Sequence, residues 1–348
     1  MGWYSQYAVH VEPYRFFPKV DLHRHLEGSL RLETLQEIAL QYPALLPPPH
    51  SLPAMVQINR DEAFSDKTFL SKFLTLRLFY QSPEIIQRVT REAIQDAAID
   101  GIIYLELRFT PAALARARGF AIPEVSRWVA EAAQQASLET QLPVRLIASI
   151  NRHESLAIAS AVVQSAVDLI KMGIVGLDLA GNEAEFSALP FEGLFTEARQ
   201  AGLMITAHGG EWGGSQNVKD AILALGAARV GHGVRVLEDP MTVALARERG
   251  AVFEVCITSN LQSGVVANLS SHPIAQMIES GLAVTLCTDD PGISQITLSD
   301  DYYVACDLLG MSKEGLKDRV RVAARGAFLP PTERDILSQH INQLLEKV

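Results

Sequence analysis

The strongest constraint on the fold is an alternation of eight short apolar runs with longer segments of helical periodicity along the 348 residues. Most runs are rich in Val, Ile and Leu without polar alternation, as in strands buried on both faces of a parallel sheet. Eight strand–helix units predict an α/β fold, a (β/α)8 TIM barrel. The alternative, a doubly wound open sheet, has no preferred count of eight. The runs are Lys19–His25, Ile102–Thr110, Val144–Asn151, Val175–Gly181, Leu203–Gly210, Ala228–Gly233, Val252–Asn260 and Ala283–Asp290.

The segments between the runs carry helix start and stop signals. Ser82 and Pro83 begin one predicted helix and Gly101 ends it. The first unit is irregular, because residues 26–101 far exceed one crossover helix; they predict a helical lid insertion over the active-site face. The tail from Ser312 predicts extra C-terminal helices. No linker divides the chain, so residues 1–348 are predicted to form a single domain.

Charge and cysteine content exclude several classes of protein. The formal net charge of −10 argues against a nucleic-acid or anionic-membrane binder, which needs a basic surface. The three cysteines, Cys256, Cys287 and Cys306, form no CxxC pair, which argues against a disulfide framework and a thiolate zinc site. No signal peptide is apparent, and the longest charge-free apolar stretch is too short to span a bilayer. We therefore expect a soluble, cytoplasmic protein.

Metal-capable residues gather at the carboxyl ends of the predicted strands, where barrel enzymes place catalysis. His23 and His25 stand two apart on the first strand, so both imidazoles project to the same side. Neutral imidazole is a common zinc ligand; the alternative is two histidines with separate hydrogen bonds. His208 closes the fifth strand, and Glu211 follows beyond two glycines. This glutamate is a candidate proton donor if it is buried, or else a loop residue in solvent.

Two further strand ends complete the pattern. His232 lies between two glycines after the sixth strand, either at the site or as a histidine bonded to backbone in the core. Asp289 and Asp290 follow the eighth strand; adjacent carboxylates repel unless a cation neutralises them, and the alternative is a helix N-cap. Strand four ends at Gly181 without a lysine that would bridge a second metal. We therefore predict one zinc ion per chain, with an open water position.

The motifs DLHRHLEGS, DLAGNE, ITAHGGE, RVGHGVRV, CITSNLQSG and TDDPG together resemble the adenosine deaminase family of the amidohydrolase superfamily, most closely its bacterial members. The resemblance runs from about Pro18 to about Leu329. It implies hydrolytic conversion of adenosine or 2′-deoxyadenosine to the inosine product and ammonia, in purine metabolism. Its implied roles are protonation of purine N1 by Glu211, orientation of the attacking hydroxide by His232 and proton uptake by Asp289. The implied zinc ligands are His23, His25, His208 and Asp289.

The same resemblance implies how the substrate, a purine nucleoside, is held. Asp290 is expected at N7 and the backbone of Gly181 at N3, with Phe69 and Phe73 as an apolar gate one helical turn apart. From spacing alone the two phenylalanines fit packing on the barrel equally well. The implied substrate contacts are His25, Glu27, Gly181, Asp290, Phe69 and Phe73.

Some positions depart from the family pattern. Glu27 replaces the usual Asp near the ribose 5′-hydroxyl, while Asn182, Gly210 and Cys287 replace the usual Asp, Ala and Asn. Glu27 therefore leaves open a deaminase of adenine, or of a 5′-modified adenosine such as 5′-methylthioadenosine or aminodeoxyfutalosine. TDDPG and SNLQSG favour a nucleoside. A remote alternative is an inactive nucleoside-binding barrel, against which stands the presence of Glu211 and every implied ligand.

Overall fold

The structure is a computed structural model that describes residues 8–348. Its centre is one parallel sheet of eight strands in sequence order, which confirms the predicted (β/α)8 barrel. Parallel strands buried on both faces need helices outside, and the alternating helical segments supply them. The strands are β1 (Lys19–His25), β2 (Ile102–Phe109), β3 (Val144–Asn151), β4 (Ile174–Ala180), β5 (Met204–Gly209), β6 (Arg229–His232), β7 (Val252–Val255) and β8 (Ala283–Leu286).

The α-helices of the described residues surround the barrel or cover its ends. They are α1 (Ala8–Arg15), α2 (Leu32–Gln41), α3 (Leu52–Val56), α4 (Asp66–Leu76), α5 (Pro83–Ile99), α6 (Pro111–Arg116), α7 (Ile122–Thr140), α8 (Leu156–Asp168), α9 (Glu192–Gln200), α10 (Ser215–Leu223), α11 (Pro240–Arg249), α12 (Ile257–Gln262), α13 (Ile274–Glu279), α14 (Pro291–Ser294), α15 (Leu298–Tyr303), α16 (Lys313–Gly326) and α17 (Pro331–Leu345). Within residues 8–348, no helix combines the length and apolar character needed to cross a bilayer.

Local signals account for the helix boundaries that flank β2. The Ser82 hydroxyl caps α5 by accepting the Ile85 N–H at 3.3 Å, and Pro83 fills the first helical position. Gly101 follows α5 with φ +76°, a left-handed conformation that glycine adopts without strain. The insertion after β1 forms α2 to α5, with α4 over the barrel mouth, and the tail forms α16 and α17 as predicted.

Two strands end four or five residues earlier than the sequence predicted, whereas the other strand ends agree to within one residue. The predicted seventh strand extended to Asn260, but β7 stops at Val255 and α12 begins at Ile257. Apart from Glu254, residues 252–258 are apolar or β-branched, which is typical of a strand, yet the buried environment accommodates a helical turn equally well. The predicted eighth strand extended to Asp290, but β8 stops at Leu286. Asp289 has φ +67°, outside the β region, so the extended chain cannot continue through it.

The barrel closes between its first and last strands at their carboxyl ends. The His25 N–H donates to the carbonyl of Asp289 at 2.8 Å, and the Asp289 N–H donates to the carbonyl of His23 at 2.8 Å. Arg24 and Asp289 form the corresponding parallel bridge. Barrel closure therefore fixes the backbone of Asp289 directly beside that of the two histidines.

Candidate active site

Three imidazoles and one carboxylate converge at the carboxyl end of the barrel. The Nε2 atoms of His23 and His25 are 3.2 Å apart, and those of His25 and His208 are also 3.2 Å apart. Asp289 Oδ1 lies 3.2 Å from His23 Nε2 and 3.4 Å from His25 Nε2. These side chains are buried, so their polar atoms need partners other than bulk water.

In His23 and His208, the hydrogen bond at Nδ1, on the side away from the cluster, determines whether Nε2 carries a proton or a lone pair. His23 Nδ1 donates to Glu254 Oε2 at 2.8 Å, and His208 Nδ1 donates to Asp178 Oδ1 at 3.1 Å. A neutral imidazole carries one proton, so both inward Nε2 atoms present lone pairs. Lone pairs and a carboxylate converging in a buried space suit a cation between them. The chain's own donor set therefore fits a metal ion.

The spacing of the donor atoms fits a small metal ion. Zinc–nitrogen bonds of about 2.0–2.1 Å place neighbouring ligand atoms roughly 2.8–3.6 Å apart for angles of about 90–120° at the metal, a range that leaves room for a water as a further ligand. Four donor separations, those of His23 and His208 from His25 and those of Asp289 from His23 and His25, are 3.2–3.4 Å and fall in this range. Glu254 and Asp178 act as the carboxylates that orient metal-ligating histidines in such sites.

A buried ionic network lies beneath the cluster. Glu254 accepts hydrogen bonds from Arg108 at 2.8 Å and from Arg229 at 2.5 Å, and Arg229 also donates to Glu106 at 2.6 Å. Although burial alone would raise it, these guanidinium groups hold the pKa of Glu254 well below its usual range. Glu254 therefore stays ionised and remains a permanent acceptor for His23.

Glu211 is held over the cluster by a second carboxylate. Both oxygens of Glu183 accept backbone N–H groups, from Gly210 at 2.8 Å and from Glu211 at 2.5 Å. Gly210 has φ +71°, which lets this loop turn tightly. Burial and the charges of Asp289 and Glu183 raise the pKa of Glu211 well above its usual range. Burial therefore favours the protonated form of this carboxyl group, which faces the site and can then donate.

His232 and Asp289 share an unusual backbone conformation. Their φ angles are +59° and +67°, which residues other than glycine rarely adopt. His232 Nε2 points toward Glu211 Oε2 at 3.6 Å and Asp289 Oδ2 at 3.8 Å. Gly231 beside it is required, since a Cβ there would lie 2.9 Å from His23 Cε1. On α12, the Ser259 hydroxyl donates to Asp289 Oδ2 at 2.7 Å.

Glu27 and Asp290 each present one free carboxyl oxygen. Glu27 Oε1 accepts the Thr110 N–H at 2.6 Å, while its Oε2 is buried without a hydrogen-bond partner among residues 8–348. Asp290 Oδ1 is likewise buried without a described partner. Burial and the nearby carboxylates, Asp289 first, raise the pKa of Asp290 well above its usual range. Both groups are positioned to bind a polar ligand.

One pocket brings the predicted site residues together. Phe69 is buried and Phe73 half-buried on α4, with ring centroids 6.3 Å apart, and both cover the mouth. His23 lies fully buried beneath the others. The predicted residues that line the pocket are His25, Glu27, Phe69, Phe73, Gly181, His208, Glu211, His232, Asp289 and Asp290.

Sequence reasoning missed the residues that support these side chains. A lone charge inside an otherwise apolar strand, such as Asp178 or Glu254, is a usable signal, because a buried charge must have a partner. Ser259 and Asn260 carried no comparable signal while their segment was read as strand. The overlooked residues are Arg108, Asp178, Glu183, Glu254, Ser259 and Asn260.

An eight-stranded parallel barrel with imidazoles and a carboxylate converging at its carboxyl end is typical of metal-dependent barrel enzymes. The model of the adenosine deaminase family matches residues 18–344. An adenosine deaminase of Enterococcus faecalis is 33% identical over 94% of this chain and 97% of its own length. The chain therefore belongs to the adenosine deaminase family.

Solved structures share the fold. An adenine deaminase from Arthrobacter aurescens is 25% identical, with a TM-score of 0.83 over 94% of this chain and 98% of its own. An amidohydrolase from Burkholderia ambifaria with bound zinc is 23% identical, with a TM-score of 0.86 over 98% of this chain and 94% of its own. At that identity the second likeness concerns the fold alone.

Proposed function

We propose that this protein hydrolyses adenosine and 2′-deoxyadenosine to inosine and 2′-deoxyinosine, with release of ammonia. The observation that carries the proposal is the buried Glu211 facing the imidazole–carboxylate cluster inside one pocket, where burial raises its pKa. The family membership and the Enterococcus faecalis relative support the substrate. The proposed ligands of one zinc ion are His23, His25, His208 and Asp289.

A bound zinc ion supplies an activated water, since it lowers the pKa of bound water to near neutrality. Glu211, protonated in its buried loop, donates to purine N1 and draws electrons away from C6. His232, fixed by its backbone, faces the attacking oxygen, and Asp289 Oδ2 accepts the proton. Attack forms the C6–O bond; the proton on Asp289 then passes to the amino group as the C6–N bond breaks and ammonia leaves. Loss of the remaining hydroxyl proton gives the carbonyl and restores the proton of Glu211.

The remaining pocket residues hold the purine nucleoside. Asp290, kept protonated by burial, donates to N7, which is an acceptor. The free oxygen of Glu27 accepts a ribose hydroxyl. Phe69 and Phe73 cover the base and exclude water. His25 and Gly181 complete the proposed contacts from the pocket wall.

Removal of the metal is expected to abolish deamination. After treatment with a strong zinc chelator, the adenine absorbance of the substrate should no longer fall with time, and added zinc should restore the reaction. The reason is that bound zinc makes hydroxide available near neutral pH. Metal analysis before treatment should find one zinc per chain. An undiminished rate in fully demetallated protein would contradict the mechanism.

A second candidate, a 5′-modified adenosine, is favoured by one feature of the pocket. Arg77 lines it near Glu27, and its buried Nε has no hydrogen-bond partner among the described residues. A guanidinium group at this end would pair with a polar or anionic 5′ substituent.

A substrate panel separates the candidates. It contains adenosine, 2′-deoxyadenosine, adenine, 5′-methylthioadenosine and aminodeoxyfutalosine, compared by kcat/KM. We expect adenosine and 2′-deoxyadenosine to lead. Preference for adenine would refute the nucleoside proposal, preference for a 5′-modified compound would support the second candidate, and zinc-loaded protein without any turnover would indicate an inactive binding barrel.

Shortening Glu27 tests the 5′ end of the pocket directly. Glu27→Asp withdraws the carboxylate by one methylene and loosens its bond to the Thr110 N–H. We expect kcat/KM for adenosine to fall about tenfold, which corresponds to the loss of one hydrogen bond. Adenine turnover should stay unchanged, because adenine has no ribose. Equal effects on both compounds would show that Glu27 does not contact the ribose.

The cytoplasm is the proposed compartment, and residues 1–348 are proposed to form one domain. The described cysteines are all free, as a reducing environment maintains them. One family model matches residues 18–344, and the single sheet lies within that range.

A further inference from the structure

A buried histidine outside the pocket begins a directional chain of hydrogen bonds. His272 precedes α13 and is 7% exposed. Its Nδ1 lies 3.2 Å from the backbone N of Ile274. A backbone N–H can only donate, so this Nδ1 is an acceptor and carries no proton. Burial lowers the pKa of His272 to about 4, so the neutral ring carries its one proton on Nε2.

The next member of the chain is the side-chain amide of Asn260. Its Oδ1 lies 3.3 Å from His272 Nε2, so it accepts the proton that this nitrogen must carry. The amide Nδ2 then faces His232 Nδ1 at 3.1 Å. If the amide were flipped, its NH2 group would face the Nε2–H of His272, and two donors would oppose each other. Because the Ile274 N–H places the His272 proton on Nε2, it also determines the orientation of the Asn260 amide.

The last member of the chain is His232. An amide Nδ2 can only donate, so His232 Nδ1 accepts, and the proton of the neutral ring resides on Nε2. That nitrogen is the one directed at Glu211 and Asp289. His232 therefore presents a donor, and not a lone pair, to the place where the reacting oxygen lies.

We propose that His272 is a positioning residue, which acts through Asn260 to keep His232 in the tautomer with its proton on Nε2. The catalytic consequence rests on the proposed function: His232 stabilises negative charge developing on the attacking oxygen and does not act as its base. The tautomer itself is independent of which substrate the protein uses.

Three substitutions test whether His272 acts through the direction of its hydrogen bond to Asn260 or only by filling space. His272→Leu removes the donor to Asn260 and leaves the amide free to turn. His272→Gln is the conservative variant, since its amide oxygen can accept the Ile274 N–H while its NH2 donates to Asn260. Asn260→Asp presents only acceptors, so His232 must place its proton on Nδ1. His340→Leu, at an exposed histidine on α17 outside the pocket, is the matched control.

The experiment is nitrogen-15 NMR of histidine-labelled, zinc-loaded protein, with His232 assigned by its loss in His232→Gln. We expect the Nε2–H tautomer in the unaltered protein and in His272→Gln, a mixture in His272→Leu, and the Nδ1–H tautomer in Asn260→Asp. An Nδ1–H tautomer in the unaltered protein, or an unchanged spectrum in His272→Leu, would overturn the proposal.

Steady-state kinetics with adenosine give the second measurement. We expect kcat to fall about 10²-fold in Asn260→Asp, as when one oxyanion donor is lost, and about tenfold in His272→Leu, with KM and zinc content unchanged. His272→Gln should recover most of the rate, and His340→Leu should match the unaltered protein. If the unaltered protein does not turn over adenosine, the proposed function fails, while the NMR result still decides the tautomer.

Discussion

Replacement of Glu211 by glutamine is expected to lower kcat about 10²–10⁴-fold, the contribution of a positioned general acid. The two side chains have nearly the same shape, and Glu183 holds this loop through backbone N–H groups that the substitution leaves in place. Glutamine can still donate a hydrogen bond to purine N1 but cannot transfer a proton. The loss should therefore appear in kcat and not in binding.

Binding measurements complete this test. Zinc content by metal analysis and adenosine affinity by calorimetry should remain close to those of the unaltered protein. Glu185→Gln is the matched control, since Glu185 is exposed two residues beyond Glu183. A Glu211→Gln protein with a kcat near that of the control would remove Glu211 from the proton transfer.

Replacement of Glu254 by glutamine is expected to lower the free energy of unfolding by about 3–5 kcal/mol, the cost of breaking a buried ion pair. Glu254 neutralises Arg108 and Arg229, and all three side chains are fully buried. An amide cannot replace the charge, so two guanidinium groups would lose a compensating anion. His23 would also lose the carboxylate that orients it, so zinc affinity should fall.

Urea denaturation with excess chelator measures the stability effect apart from metal binding, which would itself stabilise the fold. Glu37→Gln is the control, since Glu37 pairs with Arg88 at 2.7 Å but its side chain is 57% exposed. Its loss should cost below about 1 kcal/mol. Equal effects of the two substitutions would show that the network under the metal cluster does not stabilise the barrel.

Much of the site could be predicted because, in a barrel of parallel strands, a residue at the carboxyl end of any strand lies on the same face. Apolar runs mark the strands, and each carboxyl end opens on the same face, so His208 and His232 are expected together although they are distant from His23 in sequence. The two-residue spacing of His23 and His25 predicts convergence on one side, and their Nε2 atoms are 3.2 Å apart.

The partners of these residues could not be predicted, because they depend on contacts between strands and loops far apart in sequence. The pattern of β7 contains Glu254 but does not show which cations or imidazole it meets. The predicted seventh strand included residues 257–260, but in the folded barrel they form the start of α12. That turn brings Ser259 to Asp289 and Asn260 to His232.

Local periodicity therefore establishes the number and order of strands, the insertion after the first and the residues at the strand ends, because these follow from neighbouring residues. The protonation states of the site residues and the directions of their hydrogen bonds do not follow from local sequence. Whether Glu211 is protonated, and which nitrogen of His232 bears the proton, depends on burial and on fields from groups such as Glu183 and Asn260. Those groups come together only in the folded barrel. There water is excluded, and the low dielectric constant strengthens the interactions that shift a pKa or select a tautomer.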